Sequence, residues 1–333
     1  MTVVAVVIPY YQKKRGILRR ALGSVLGQVL PDAVRVRIIV TDDGSPVPPD
    51  GEFDGLPIAP PFEMEIIRQA NAGAATARNS GLNAVSAEIS YIAFLDSDDF
   101  WEPSHLATAL AALELGFDYY FCNNRRLGGH ASYFAATGFD RHLLTQGTRL
   151  ANGVFALRPA DLISFSLRAW TSLTPTIVFR RAIAPDLRFD PSLRAAGEDC
   201  HFFLQLMRRA SAICCSPAIN VTCADGVNIF YSTYDWDGPA HLSRQIGQLL
   251  KSYRYLRDLG LAEADNDYVR VCVRQERRSV AFFFLRALAK MRLNALADIR
   301  GLMRDDPSFW VWFPISAASV MVLFPLRRFS PRD

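Results

Sequence analysis

Three carboxylates follow directly after an apolar run in the first third of the chain. The run SYIAFL ends at Leu95, and the next residues are Asp96, Ser97, Asp98 and Asp99. Carboxylate oxygens suit Mg²⁺ or Mn²⁺, and Mg²⁺ in particular is usually held by one or two carboxylates together with substrate phosphates. This acid segment therefore predicts a cation and phosphate site. A solvated acidic turn at the end of a strand is the alternative, and the segment alone does not separate the two.

Polar residues also follow two earlier apolar runs. Asp42 and Asp43 come after the run 34–41, and the sequence PYYQ comes after the run 2–8. Ligands of open α/β sheets bind beyond the carboxyl ends of the strands, so we expect these segments and the acid segment to lie along one edge. An ordinary Asp-Gly turn is the alternative for Asp42 and Asp43.

The elements that must position these residues alternate along the chain. Apolar, β-branched runs predict strands, and apolar residues at helical spacing predict helices between them. This order is typical of an α/β fold with a parallel sheet and crossover helices. The predicted strands are Thr2–Ile8, Val34–Thr41, Glu63–Arg68 and Ile89–Leu95, and the predicted helices are Gly16–Val29 and Gly73–Ala87.

Composition limits the class of protein. The chain has 333 residues, of which 50% are hydrophobic and 21% are charged, so it can bury a full core in one large domain with an appendage or in two domains. With 37 basic and 33 acidic residues, the net charge of +4 gives no overall basic field, and we expect no nucleic-acid partner. The six cysteines lack CxxC spacing, which predicts reduced, buried thiols in a reducing cytosol.

Five segments together carry a resemblance to a known family. In chain order they read VVIPYYQ, IIVTDDGS, RQANAGAATARNSGLNAV, YIAFLDSDDFWEP and AAGEDCHFFLQLMRR. Residues 2–210 thus resemble the family 2 inverting glycosyltransferases, which have the GT-A fold. Within that family, the first segment and its continuation are similar to bacterial exopolysaccharide glucosyltransferases of the succinoglycan biosynthesis type.

The resemblance implies a nucleotide-sugar site at the predicted sheet edge. Pro9 and Tyr11 would lie against the base and ribose, although Gln12 departs from the family pattern. Asp43 would accept a hydrogen bond from N3–H of uracil. Arg78 would support the base pocket or a phosphate, with a surface arginine on an amphipathic helix as the alternative.

The acid segment would then hold the rest of the donor. The resemblance places Asp96 and Ser97 on the nucleotide sugar and Asp98 on a Mn²⁺ or Mg²⁺ ion that bridges the diphosphate, with Asp99 as the next metal candidate. Departure of a nucleoside diphosphate builds negative charge, and a divalent cation fixed by a carboxylate stabilises that charge.

A base for the acceptor hydroxyl is the other requirement of sugar transfer. Glu198 and Asp199 open a predicted helix, Cys200–Arg209. The resemblance implies that Asp199 is the base, with Glu198 as an orienting neighbour or acceptor contact. Acids at a helix N-terminus also favour the helix dipole, so capping is the alternative. One displacement from the face opposite the nucleotide would convert an α-linked donor into a β-linkage.

Two later regions are candidates for acceptor binding. Trp170 precedes a polar segment and a predicted strand, where it would stack on a sugar ring, and a core tryptophan is the alternative. Asn228 and Trp236 lie in a loop after the predicted catalytic domain. We expect these three residues to contact the acceptor.

The C-terminal third changes character. We predict a GT-A domain at 1–225, a loop with a helical appendage at 226–306 and an apolar and basic tail at 307–333. The uncharged segment 309–325 is marginal for a spanning helix of about 20 residues. Its aromatic start and the basic residues after it suit an anionic membrane face, and packing or dimerisation is the alternative.

These features combine into one expected function. We expect a metal-dependent, cytoplasmic enzyme, peripheral on the inner face of the plasma membrane, that moves glucose from UDP-glucose to a polyprenyl-diphosphate-linked oligosaccharide in exopolysaccharide synthesis; a homodimer stays open. A haloacid-dehalogenase-type phosphatase is one alternative, although it expects Thr or Val where Phe100 stands. A non-catalytic module that binds nucleotide sugars or polysaccharide is the other.

Overall fold

The computed structural model describes residues 1–150, 153–193, 197–224 and 240–323. They divide into two compact units. The sheet unit runs from Met1 to Ser192 and resumes at Glu198, and the helical unit contains Leu193, Gly197 and the helices from Ala240 onward. The predicted domain limits at 225 and 306 remain a prediction.

The sheet unit is built on one mixed sheet with strands on both sides of β1. The strand order is β3-β2-β1-β4-β9-β6-β10-β8-β7, and β5 pairs with β10. The strands are β1 (Thr2–Tyr10), β2 (Val34–Asp42), β3 (Phe62–Arg68), β4 (Tyr91–Phe94), β5 (Phe100–Trp101), β6 (Tyr119–Arg126), β7 (Thr148–Arg149), β8 (Phe155–Leu157), β9 (Ile177–Arg180) and β10 (Ile213–Cys223). The helices are α1 (Ile17–Leu26), α2 (Ala74–Asn83), α3 (His105–Leu113), α4 (Tyr133–Thr137), α5 (Phe139–Gln146), α6 (Pro159–Arg168) and α7 (Glu198–Arg209).

The predicted parallel half of the sheet is confirmed. β1 pairs in parallel with β2 and β4, and β2 pairs in parallel with β3. α2 packs closely on β1 because Gly81 has no side chain: a Cβ there would lie 2.5 Å from Cγ1 of Val7. α2 ends at Asn83, before the predicted end at Ala87.

The second half of the sheet, for which the sequence predicts no strand pairing, is mixed. β9 lies between β4 and β6 and is antiparallel to both. β6 therefore runs in the same direction as β4, and its last residue, Arg126, reaches the edge where the acid segment lies. β10 continues in parallel with β6 and places Cys223 opposite Arg126.

Four of the six cysteines are buried, as the sequence predicts, whereas Cys200 and Cys272 are half-buried. All six are free, and Cys122, Cys214, Cys215 and Cys223 are buried in the sheet unit. Burial raises the pKa of each of these buried thiols above its ordinary value. They are therefore protonated packing residues at neutral pH.

The helical unit contains four helices in the described part of the chain: α8 (Ala240–Asp258), α9 (Glu263–Ala289), α10 (Ala295–Asp305) and α11 (Phe309–Leu323). Its core combines side chains of all four helices, including Leu249, Val280, Ile299 and Trp312. The residues that the structure describes include no helix with both the length and the apolar character needed to cross a membrane.

Asp306 anchors α11 in the helical unit. Its carboxylate accepts hydrogen bonds from Tyr253 Oη (2.6 Å), Trp312 Nε1 (2.7 Å), Ser308 Oγ (2.6 Å) and Ser308 N (2.9 Å). Burial alone would raise the pKa of Asp306, but these hydrogen bonds outweigh burial and hold the pKa below its ordinary value. The ionised form therefore stabilises the fold.

We expect Asp306→Ala to lower the free energy of unfolding of the helical unit by about 3 kcal/mol at neutral pH, because it leaves the buried indole N–H of Trp312 and the half-buried hydroxyl of Tyr253 without their acceptor. A carboxyl with a lowered pKa stabilises the fold above its unfolded pKa of about 4, and this contribution disappears as pH falls through the folded pKa. Urea unfolding should thus show the deficit shrinking towards acidic pH. Asp305→Ala, at an exposed neighbour, is the control, and a deficit independent of pH would contradict the prediction.

Candidate active site

The carboxyl ends of the parallel strands lie together, as the sequence predicts. After β2, Asp43 N donates to the carbonyl of Tyr10 at 2.9 Å, and after β3, Gln69 N donates to the carbonyl of Asp42 at 2.9 Å. Gln12 N donates to Ser45 Oγ at 2.8 Å. These bonds connect the polar residues that follow β1, β2 and β3 into one edge.

Asp43 lies at the centre of this edge and is buried. Its Oδ1 accepts from Gln69 Nε2 and Ala72 N, each at 2.8 Å, and its Oδ2 accepts from Gly73 N at 2.8 Å. An ionised carboxylate has about four acceptor positions. Among the described residues, one acceptor position on Oδ2 therefore has no donor, and the uracil contact remains a prediction.

The residues after β1 connect this edge to the acid segment. Gln12 is buried, and its Nε2 donates to Ser97 Oγ at 3.1 Å. Its Oε1 is also buried and has no hydrogen-bond donor among the described residues. Pro9 is buried within β1, and Tyr11 is half-buried beside it. Pro9, Tyr11 and Ser97 thus lie on the segments that meet at this edge, and their nucleotide contacts remain predictions.

The acid segment forms a tight turn after β4. Asp99 N donates to the carbonyl of Asp96 at 3.0 Å, and Asp99 Oδ1 accepts from Ala224 N at 2.9 Å. Burial, with the neighbouring charge of Asp96, raises the pKa of Asp98 to about 6. Burial and the charges of Asp98 and Asp96 raise the pKa of Asp99 as well. The segment is therefore a crowded cluster of carboxylates that an added cation would stabilise.

Two arginines that sequence reasoning missed lie near Asp98. Arg20 Nη2 donates to the carbonyl of Asp98 at 2.8 Å. Arg126 ends β6 opposite Cys223, the residue before Ala224, and its positive charge lowers the pKa of Asp98 in part. The sequence does not predict that Arg126 lies near the acid segment. Its position depends on the pairing of β6 with the antiparallel β9, which separates β6 from β4 in the sheet.

The donor set suits a metal that is shared with a substrate. Among the described residues, no group of three or more His, Cys, Asp or Glu side chains could hold a metal ion without further ligands. Mg²⁺ and Mn²⁺ accept one or two carboxylates together with phosphate oxygens and water. Asp98 and Asp99, with their raised pKa values, fit such a site once phosphates supply the remaining ligands.

Arg78 connects the acid segment to α7. It is buried, so the surface-arginine alternative is wrong. Its Nη2 donates to Asp96 Oδ1 at 2.8 Å, its Nη1 donates to Glu198 Oε1 at 3.2 Å, and its guanidinium lies 5.3 Å from the ring centre of Phe189. The guanidinium of Arg78 thus binds Asp96, an acid of the predicted donor site, and Glu198, one of the two acids predicted to act on the acceptor.

Glu198 and Asp199 begin α7, as predicted. Asp199 Oδ1 accepts a hydrogen bond from Cys200 N at 2.7 Å. Burial and then the charge of Asp199 raise the pKa of Glu198 to about 7, against the opposing effect of Arg78. Arg78 thus fixes the carboxylate of Glu198. Among the described residues, Asp199 has no hydrogen bond to Arg78. This difference suits an orienting role for Glu198 and a reacting role for Asp199.

The predicted acceptor residues are only partly described. Trp170 follows α6 and is half-buried, and its Nε1 is buried without a hydrogen-bond acceptor in the described ranges. An indole N–H usually finds a partner when it is buried, and the contact of Trp170 with the acceptor remains a prediction. Asn228 and Trp236 lie outside the described residues.

Comparison with known proteins identifies relatives of this chain. The sequence model for glycosyl transferase family 2 matches residues 5–151. The succinoglycan biosynthesis protein ExoW of Rhizobium meliloti is 36% identical over 247 residues, which are 74% of this chain and 76% of that protein. The minor teichoic acid biosynthesis protein GgaA of Bacillus subtilis is 28% identical over 61% of this chain and 43% of its own length.

Solved structures show the same fold. TarS of S. aureus in complex with UDP-GlcNAc superposes with a TM-score of 0.55 at 17% identity, over 91% of this chain and 82% of that chain. The mannosyltransferase PcManGT of Pyrobaculum calidifontis, in complex with GDP-Man and Mn²⁺, has a TM-score of 0.52 at 16% identity, over 96% and 86%. The fold is therefore the GT-A fold that the resemblance implied. Because ExoW is 36% identical over 247 residues and the alignment covers 76% of that protein, this chain belongs to glycosyl transferase family 2.

Proposed function

We propose that the chain transfers a sugar, glucose, from a UDP-sugar to a polyprenyl-diphosphate-linked oligosaccharide in exopolysaccharide synthesis, and that it inverts the anomeric centre. The observation that carries this proposal is the buried Arg78, which joins Asp96 of the acid segment to Glu198 beside Asp199. In this proposal the donor-side and acceptor-side acids share one site. The similarity to a succinoglycan biosynthesis protein supports a role in exopolysaccharide synthesis.

The choice of a uridine nucleotide rests on Asp43. Its carboxylate is fixed by three donors and keeps an acceptor position on Oδ2. An acceptor at this place suits the N3–H of uracil. Adenine offers no ring N–H there, so it would leave a buried acceptor unpaired, which costs binding free energy.

A cation held by the acid segment and the two nearby arginines would stabilise the negative charge on the leaving diphosphate. Asp98 and Asp99 would hold Mn²⁺ or Mg²⁺, which when bound offsets the negative charge that develops on the diphosphate. Arg20 and Arg126 bring positive charge to the same turn. Asp96, held by Arg78, is left to contact the donor sugar or its ribose.

Asp199 takes the proton from the acceptor hydroxyl in this proposal. Glu198 is the orienting neighbour, since Arg78 fixes its carboxylate. The hydroxyl oxygen then attacks the anomeric carbon as the bond to the diphosphate breaks, in one displacement that forms a β-linkage from an α-linked donor. Family membership leaves the phosphatase alternative without support.

The exposed side of α11 supports attachment to the inner face of the membrane. Phe309 and Trp312 are buried in the helical unit, whereas Trp310, Val311 and Ile315 are exposed at helical spacing. An apolar stripe on a helix of 15 residues, about 22 Å long, suits a position in the interface of a bilayer and is too short to span it.

A donor panel tests the proposal. Purified protein, Mn²⁺ and a set of nucleotide sugars should release nucleoside diphosphate with UDP-glucose at the highest kcat/KM. EDTA should lower the rate by about 100-fold or more, because the leaving diphosphate loses its counter-charge, and added Mn²⁺ should restore it. Equal release from UDP- and GDP-sugars, or a rate that EDTA leaves unchanged, would contradict the proposal.

A further inference from the structure

The turn that joins α9 to α10 has an unusual residue at its centre. Arg292 N donates to the carbonyl of Ala287 at 2.9 Å, and Met291 N donates to the carbonyl of Leu288 at 2.9 Å. These two bonds are the pattern of the Schellman motif, which places the residue after the helix cap in the left-handed region. That residue is Met291, with φ 58°.

Methionine is energetically unfavourable in the left-handed conformation. Its Cβ crowds the following carbonyl oxygen, so glycine is favoured at this position of the motif. The other residues with positive φ in the described ranges are glycines. A strained residue that persists where glycine would be more stable points to a role for its side chain.

The surroundings of Met291 combine exposed apolar side chains with basic residues. Its side chain is 80% exposed, Leu293 is 65% exposed, and Leu296 is also exposed in the first turn of α10. Lys290 and Arg292 stand on either side of Met291 in the chain, and Arg286 joins them in lining a cleft behind the turn. Asp298 is the acidic residue of that cleft. The turn therefore presents apolar side chains to solvent within a mainly basic surrounding.

We propose that this turn is a docking element for an anionic bilayer: Met291 and Leu293 enter the boundary between headgroups and acyl chains, while Lys290 and Arg292 pair with lipid phosphates. The inference rests on the proposed attachment to the membrane, and it names a contact separate from the 307–333 tail. Exposed apolar side chains gain free energy when they leave water, and basic residues at an anionic leaflet add electrostatic attraction. Neither gain is available in solution, where the strain of Met291 is uncompensated.

Met291→Gly separates this role from a structural one. The full-length variant should unfold at a higher urea concentration than the wild type, because glycine relieves the strain. It should also bind more weakly to vesicles of phosphatidylcholine and phosphatidylglycerol in a flotation assay. A higher urea midpoint with unchanged vesicle binding would overturn the proposal.

A charge variant tests the basic part without altering the turn backbone. Lys290→Gln with Arg292→Gln should lower affinity for the phosphatidylglycerol vesicles by about tenfold or more at low salt. Binding to vesicles of phosphatidylcholine alone should change little. Arg274→Gln with Arg278→Gln removes the same charge from exposed positions of α9 and should bind like the wild type. Equal loss in both double variants would show a general charge effect and overturn the proposal.

Two further measurements distinguish the remaining explanations. Release of UDP from UDP-glucose in solution should be the same in the wild type and the turn variants, so a failure of the docking proposal is distinguishable from a failure of the proposed activity. Leu293→Ser should weaken vesicle binding, and Leu115→Ser, at an exposed leucine of the sheet unit, should not. Variants that lose self-association in sedimentation but keep vesicle binding would assign the turn to a second copy and overturn the proposal.

Discussion

Asp199→Asn is expected to lower the rate of glycosyl transfer by about 10²- to 10⁴-fold while leaving the affinity for UDP and Mn²⁺ nearly unchanged. The amide has almost the shape of the carboxylate but cannot take up the acceptor proton, and general-base catalysis contributes this range. Turnover with a saturating acceptor and nucleotide binding by calorimetry are the two measurements. Unchanged turnover would remove Asp199 from the role of base.

Two matched substitutions make the assignment specific. Glu198→Gln removes the same charge one residue earlier, and we expect a smaller loss of turnover because Glu198 positions and does not react. Asp186→Asn alters an exposed acid outside α7 that pairs at 2.9 Å with Arg209 of α7, and it should leave transfer unchanged. A larger loss in Glu198→Gln than in Asp199→Asn would exchange the roles of the two acids.

The parallel half of the fold was predictable because local sequence and burial agree there. Four apolar runs lie in four parallel strands, of which β1, β2 and β4 are mostly buried and β3 is a half-buried edge strand, and the polar residue types at their ends meet at one edge. However, a series of parallel strands in the sequence does not indicate at which strand parallel pairing ends. β9 is a short apolar segment whose pairing depends on β4 and β6, more than 50 residues earlier in the chain, and no local signal reports such a pairing.

The sequence predicted the acids at the strand ends and Arg78, but it did not predict Arg20, Arg126 or the two partners of Arg78. Carboxylates at strand ends stand out in a sequence, whereas an arginine on an amphipathic helix looks like any surface charge. Arg78 is 18 residues from Asp96 and 120 residues from Glu198, so its two partners come together only when α2 and α7 pack against the same sheet. Met291 was missed for a related reason, since its backbone angle depends on how α9 ends.

We expect substitution of Arg78 to cause a large loss of stability of the sheet unit. Arg78→Met keeps much of the side-chain volume but leaves Asp96 and Glu198 without their buried cation. Removing one partner of a buried ion pair typically costs about 3–5 kcal/mol, because the remaining charge is uncompensated. We expect a loss of this size in the urea unfolding of the sheet unit at pH 8, together with weaker donor binding.

The pH dependence of that loss identifies its cause. Glu198 already has its pKa raised to about 7 beside Arg78, and removal of the cation raises it further. An acid with a raised folded pKa destabilises the fold as pH rises through that value, so Arg78→Met should regain part of its stability between pH 8 and pH 6, as Glu198 takes up a proton. Arg188→Met, at a half-buried arginine that donates to Asn83, should change with pH only as much as the wild type. If Arg78→Met and the wild type changed equally between the two pH values, the loss would come from packing alone, and Arg78 would not be the charge that joins the two halves of the site.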